Sequence, residues 1–139
     1  MAKFREFVTS SGKLVLSGKD RESNEELIKQ VEKENIVLHT KEKGSPFAEI
    51  KANEKKVSKQ DIKEARVFIA KYSQDWKKNK RDVLVHYFQS KDIFKSKGMK
   101  QGTFGVKKYK EIKILRTDIL RLSHSHECEI NKEEIEKCR

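Results

Sequence analysis

Residues 4–31 read FREFVTSSGKLVLSGKDRESNEELIKQV, and this stretch sets the fold class. Phe4 to Thr9 and Leu14 to Ser17 are short apolar or β-branched runs, and Ser10-Ser11-Gly12-Lys13 between them has turn chemistry. The pattern predicts an antiparallel hairpin. The periodicity then turns helical: Leu27, Ile28 and Val31 share one face, and Ser23-Asn24-Glu25-Glu26 has the Ser-x-x-Glu spacing of a capping box, in which side chains satisfy orphan N–H groups. A helix of about three turns, packed on the hairpin, is expected from that pattern.

Working outward, Ile36 to Thr40 and Phe47 to Lys51 read as strands three and four, joined through Lys43-Gly44-Ser45-Pro46. Ser58 with Asp61 three residues on predicts a second capped helix, and Ile62, Ala65, Ile69, Tyr72 and Trp76 recur at helical steps along it. Val83 to Phe88 is a fifth strand. Lys97-Gly98 and Gln101-Gly102 punctuate a loop, after which Thr103 to Lys107 and Ile112 to Leu115 read as a closing hairpin. The order ββαββαβββ predicts an α+β fold: a single domain with a mostly antiparallel, curved sheet and two main helices packed on one face of it. Residues 1–115 are expected to form this domain and 116–139 a C-terminal extension, partly helical or disordered.

The chain has 139 residues, 35% hydrophobic and 40% charged, enough for one core. No apolar run approaches the roughly 18 residues of a membrane span, and Met1 to Glu6 lacks the apolar segment of a signal peptide. Cys128 and Cys138, both near the C-terminus, cannot staple a core and fit a reducing compartment. The expected location is cytoplasmic. The net charge of +11 is unevenly spread, for residues 71–113 carry 13 positive and 4 negative side chains. Such a segment favours a polyanion, because each lysine set on a phosphate releases condensed counterions.

Within that segment, Lys71-Tyr72-Ser73-Gln74-Asp75-Trp76-Lys77-Lys78-Asn79-Lys80-Arg81 interleaves aromatics with cations, as single-stranded RNA recognition does by stacking bases and holding phosphates. The competing role for Tyr72 and Trp76 is the core, with the lysines complementing a helix C-terminus. Lys91-Asp92-Ile93-Phe94-Lys95-Ser96-Lys97-Gly98-Met99-Lys100-Gln101-Gly102 and Lys107-Lys108-Tyr109-Lys110 form a second basic block, whose glycines let backbone amides approach phosphates. Asp20, Asn24 and His39 would line a pocket if the first helix adjoins the third strand. His124, His126, Cys128 and Cys138 are metal-compatible donors without paired ligand spacing, so no metal or other cofactor is expected.

Gly18-Lys19-Asp20-Arg21-Glu22-Ser23-Asn24-Glu25-Glu26-Leu27 resembles the Gly-[Arg/Lys]-Asp-x-x-x-Asn-[Glu/Asp]-x-Leu signature of the NFACT-R domain, the RNA-associated module of NFACT proteins. Further matches follow in order at Leu38-His39-Thr40 with Gly44-Ser45-Pro46, at Glu64-Ala65 with Ala70 to Ser73 and Trp76-Lys77, at Val83 to Tyr87, and at Lys97 to Phe104. The similarity spans about residues 4 to 115, and Asn35-Ile36-Val37-Leu38 makes the approach to His39 less polar than the family pattern.

The resemblance implies a stand-alone NFACT-R protein that binds tRNA or ribosomal RNA, associated with the ribosomal large subunit, in translation or ribosome-associated quality control. Expected RNA contacts are Lys19, Asn24, His39, Lys71, Trp76, Lys77, Lys95, Lys97, Lys100, Lys107 and Lys108, with no membrane partner and no catalytic group assigned. Two alternatives accompany this reading: an RNA-modification enzyme with its pocket at Asp20, Asn24 and His39, and an adaptor that docks on protein.

Overall fold

In the computed structural model, which describes residues 3–40, 42 and 44–122, the opening hairpin forms as its sequence dictates. Strand β1 (Arg5–Val8) pairs antiparallel with β2 (Leu14–Ser17), and the Thr9 N–H closes the turn on the Lys13 carbonyl at 2.9 Å. Helix α1 (Arg21–Gln30) follows, then β3 (Asn35–Thr40) and β4 (Phe47–Asn53), helices α2 (Lys59–Lys71) and α3 (Gln74–Asn79), and strands β5 (Val83–Gln89), β6 (Ile93–Phe94), β7 (Gly105–Val106) and β8 (Lys110–Ile114). Residues 116–122 are helical. Six strands form one antiparallel sheet in the order β1-β2-β4-β3-β5-β8, and β6 and β7 pair separately. The α+β class stands.

The helices cover both faces of that sheet rather than one. Side chains alternate along a strand, and in β3 both sets are apolar. Ile36 and Leu38 pack with Ala65, Phe68 and Ile69 of α2, whereas Val37 joins Leu27 of α1, Phe47 and Phe88. A strand apolar on both sides needs a cover on both. Glu49 of β4 is fully buried on the α1 side, where its carboxylate accepts from Gln30 Nε2 (2.8 Å), the Glu32 N–H (3.0 Å) and Asn35 Nδ2 (2.9 Å). These bonds replace the water that a buried charge loses, and they pin the C-terminal end of α1 to the sheet.

Three local expectations are corrected. Asp20, not Ser23, caps α1: its carboxylate accepts from the Ser23 N–H at 2.8 Å while Ser23 Oγ accepts from the Asp20 N–H at 3.0 Å, so the box sits one turn earlier. The single helix through Trp76 is two helices, because Ser73 Oγ donates to the Ala70 carbonyl (2.7 Å) and accepts from the Trp76 N–H (3.1 Å), ending α2 and capping α3 at one residue. The closing hairpin does not form. Strand β7 pairs with β6, and β8 pairs with β5, so the residues 103–107 and 112–115 belong to different sheets. Ile119 is fully buried in the α2-side core, which therefore extends past residue 115. His124, His126, Cys128 and Cys138 lie outside the described residues.

Candidate nucleic-acid interface

The α1 side of the sheet carries a cleft built from segments far apart in the chain. Gly18, between β2 and α1, donates its N–H to the Phe47 carbonyl at 3.0 Å, and Asn24 Oδ1 accepts from the Phe47 N–H at 3.1 Å. Any side chain at residue 18 would collide with Asn24, since a Cβ there would lie 2.0 Å from Oδ1. The Gly18 and Asn24 pair thus latches the start of α1 to the start of β4. Asp20 is occupied as the cap, and hydrogen bonds from the Ser23 backbone and hydroxyl hold its carboxyl below the usual carboxylate range.

His39 lies opposite Phe47 on β4 and His86 on β5, so all three share the α1 side. Its ring stacks on Phe47 at 3.9 Å between centroids, and Nε2–H donates to the Ser45 carbonyl at 3.1 Å. Burial pushes its pKa down to about 4, so the imidazole is neutral at pH 7.

Across the cleft runs the loop that joins β6 to β7. Lys95 Nζ donates to Glu25 Oε1 (3.0 Å), the Lys100 carbonyl (2.6 Å) and the Thr103 carbonyl (2.8 Å). Glu25 also accepts from the Gly102 N–H at 2.8 Å, and this backbone hydrogen bond, the largest cause, holds its carboxyl below the usual range. Gly102 has φ 80° and sits where a Cβ would be 2.8 Å from the Arg21 Cα, so only glycine lets the loop close on α1. Phe104 then meets Phe47 edge-on at 5.6 Å. The cleft has a volume of about 590 Å³, and Arg21, His39, Ser45, Phe47 and residues 100–104 line it.

The predicted contacts divide accordingly. Lys19, Lys77, Lys97, Lys100, Lys107 and Lys108 are exposed, and Lys71 is half-buried with its ammonium 5.3 Å from the Tyr72 ring centre. Asn24 is 6% exposed and Trp76 5%, so neither offers a base a surface, and both serve the packing instead. Lys95 organises the loop, its three N–H donors engaged within the protein. Asp20 and Asn24 do not line the cleft with His39. The second basic block divides, for Lys100 lines the cleft and Lys108 does not. The Gln74 N–H donates to Ser45 Oγ (3.0 Å), which puts α3 at the rim of the cleft, whereas Lys108 borders another groove, of about 320 Å³, with Phe88, Asp92 and Tyr109.

A family model described as the NFACT protein RNA binding domain matches residues 3–108. The chain belongs to this family. It is 30% identical over 102 residues to the archaeal Rqc2 homolog aRqcH of Methanocaldococcus jannaschii, a match covering 70% of this chain but 15% of that protein. The structure of the C-terminal part of the fibronectin/fibrinogen-binding protein from Streptococcus suis shares the fold, with a TM-score of 0.73 at 21% identity over 83% of this chain and 46% of that one. Among the described residues of this NFACT domain no helix is long and apolar enough to cross a membrane, and no group of side chains could hold a metal ion.

Two surface residues of the NFACT domain were not among the expected contacts. Arg21, hidden in the motif as an unspecified position, lines the cleft. Tyr109 is 51% exposed, with its ring stacked on His86 at 4.0 Å, and His86 Nε2 is held by Glu111 Oε2 at 2.5 Å. The signal in the sequence was an aromatic flanked by Lys107, Lys108 and Lys110.

Proposed function

We propose that this domain binds structured RNA, tRNA or ribosomal RNA, and acts on the ribosome in translation-linked quality control. The observation that carries the reading is the family match over residues 3–108, together with the similarity to an Rqc2 homolog. The chain matches 15% of that relative, so the role proposed is that of an RNA-contacting module and not of the whole protein. Exposed Lys77, Lys97, Lys100, Lys107 and Lys108 contact phosphates, and Tyr109 offers its open ring face to an unpaired base.

Filter binding of the purified chain to tRNA and to ribosomal RNA fragments tests this, with sedimentation through sucrose alongside ribosomal subunits. Saturable binding that weakens steeply with salt is the expected result. Retention that is indifferent to salt, or a ribosome association that survives nuclease treatment of isolated complexes, would favour protein docking instead.

A further inference from the structure

The cleft between the α1 N-terminus, the β3–β4 turn and the 95–104 loop is nearly twice the volume of the groove beside Tyr109, and phosphate contacts by surface lysines do not explain it. Its floor is aromatic: His39 and Phe104 are part-exposed, while Phe47, 1% exposed, backs the His39 ring and meets Phe104 edge-on. Two exposed cations, Arg21 and Lys100, line it, and among the described residues no acidic side chain does. The nearby Glu25 carboxylate is turned to the Lys95 ammonium and the Gly102 N–H, so it does not repel an anion at the mouth. A cavity of several hundred Å³ with aromatic walls and few polar groups suits one small planar molecule, and the two exposed cations add an anionic substituent to it. A nucleotide combines those properties, and a base inside a duplex cannot reach such a floor.

Resting on the RNA-binding reading, we propose that this cleft takes a single unpaired nucleotide of an RNA strand, its base against His39 and Phe104, and its phosphate on Arg21 and Lys100. The occupant defines the RNA element. A bulge, a loop or a single-stranded end fills the cleft, and an uninterrupted helix does not. The neutral, hydrogen-bonded imidazole of His39 keeps the floor free of fixed charge, which leaves the two cations to select the phosphate.

The test uses the full chain, with an RNA hairpin carrying a one-nucleotide bulge, the same hairpin fully paired, and the four nucleoside 5′-monophosphates. Amide chemical-shift changes from the monophosphates should concentrate at residues 39, 44–47 and 100–104. Arg21→Ala and Lys100→Ala should each weaken bulged-hairpin binding about tenfold, as the loss of a charge-assisted phosphate contact does. Lys59→Ala, which removes the same charge from α2 across the sheet, should weaken it less, and the excess loss should vanish with the paired hairpin. If wild type binds both hairpins and Arg21→Ala and Lys100→Ala cost no more than Lys59→Ala, the cleft proposal is overturned and RNA binding stands. Shifts from monophosphates at the cleft with no binding of either hairpin would overturn the RNA reading and, with it, the strand as the source of the nucleotide.

Discussion

Single side chains in this domain differ sharply in what their surroundings let them do. Tyr109 is an exposed ring with a fixed orientation, because His86 supports one face and Glu111 holds His86. Tyr109→Ala should weaken binding of a single-stranded oligoribonucleotide about tenfold, in line with the usual worth of base–aromatic stacking, and Tyr109→Phe should retain wild-type affinity. Equal losses for the two substitutions in fluorescence-anisotropy titrations would assign the effect to the hydroxyl instead. His39 is the opposite case, a ring made neutral by burial. Its folded pKa of about 4 lies below the ordinary value of 6.5, so the unfolded chain binds the extra proton first. The stabilisation is complete above pH 6.5 and declines as pH falls through that window toward 4, by up to about 3 kcal/mol. Urea unfolding between pH 7 and pH 4 should show this decline, and His39→Gln should flatten it.

At the scale of elements, the 95–104 loop is held by one carboxylate. Glu25 of α1 accepts from both the Lys95 ammonium and the Gly102 N–H, and the Lys95 ammonium in turn ties two loop carbonyls. Glu25→Ala should cost about 1 to 2 kcal/mol, a partly exposed charge-assisted pair being worth less than a buried one. Hydrogen exchange at the Gly102 amide should speed up more than exchange in β3 or β4. Uniform acceleration across the sheet would show that the loop and the core open as one unit. Much at this scale was legible in advance, including the Ser58–Asp61 capping box, the opening hairpin and strands β3 to β5. The split between α2 and α3 was not, because Ser73 reads equally well as a tolerated helix residue until its hydroxyl is seen bonded both ways.

For the molecule as a whole, the +11 charge is a statement about affinity and salt. With the five exposed lysines proposed above on a single strand, log affinity against log salt should fall with a slope of about −3 to −4. Filter binding over a salt series checks this. A slope near zero would place the lysines away from the RNA.

Composition, periodicity and capping residues were enough to determine the α+β class, the antiparallel sheet and the basic segment, because they depend on local preferences and on the total of charges. The ordered motifs were enough to suggest the family. Only the tertiary structure decided that α1 and α2 lie on opposite faces, that Asn24 and Trp76 are buried, that Lys95 is bound within its loop, and that Arg21, His39 and Lys100 border one cleft. Those outcomes depend on which strand lies beside which. The pairing of β2 with β4 and of β8 with β5 brings together residues dozens of positions apart, and no local spacing encodes it.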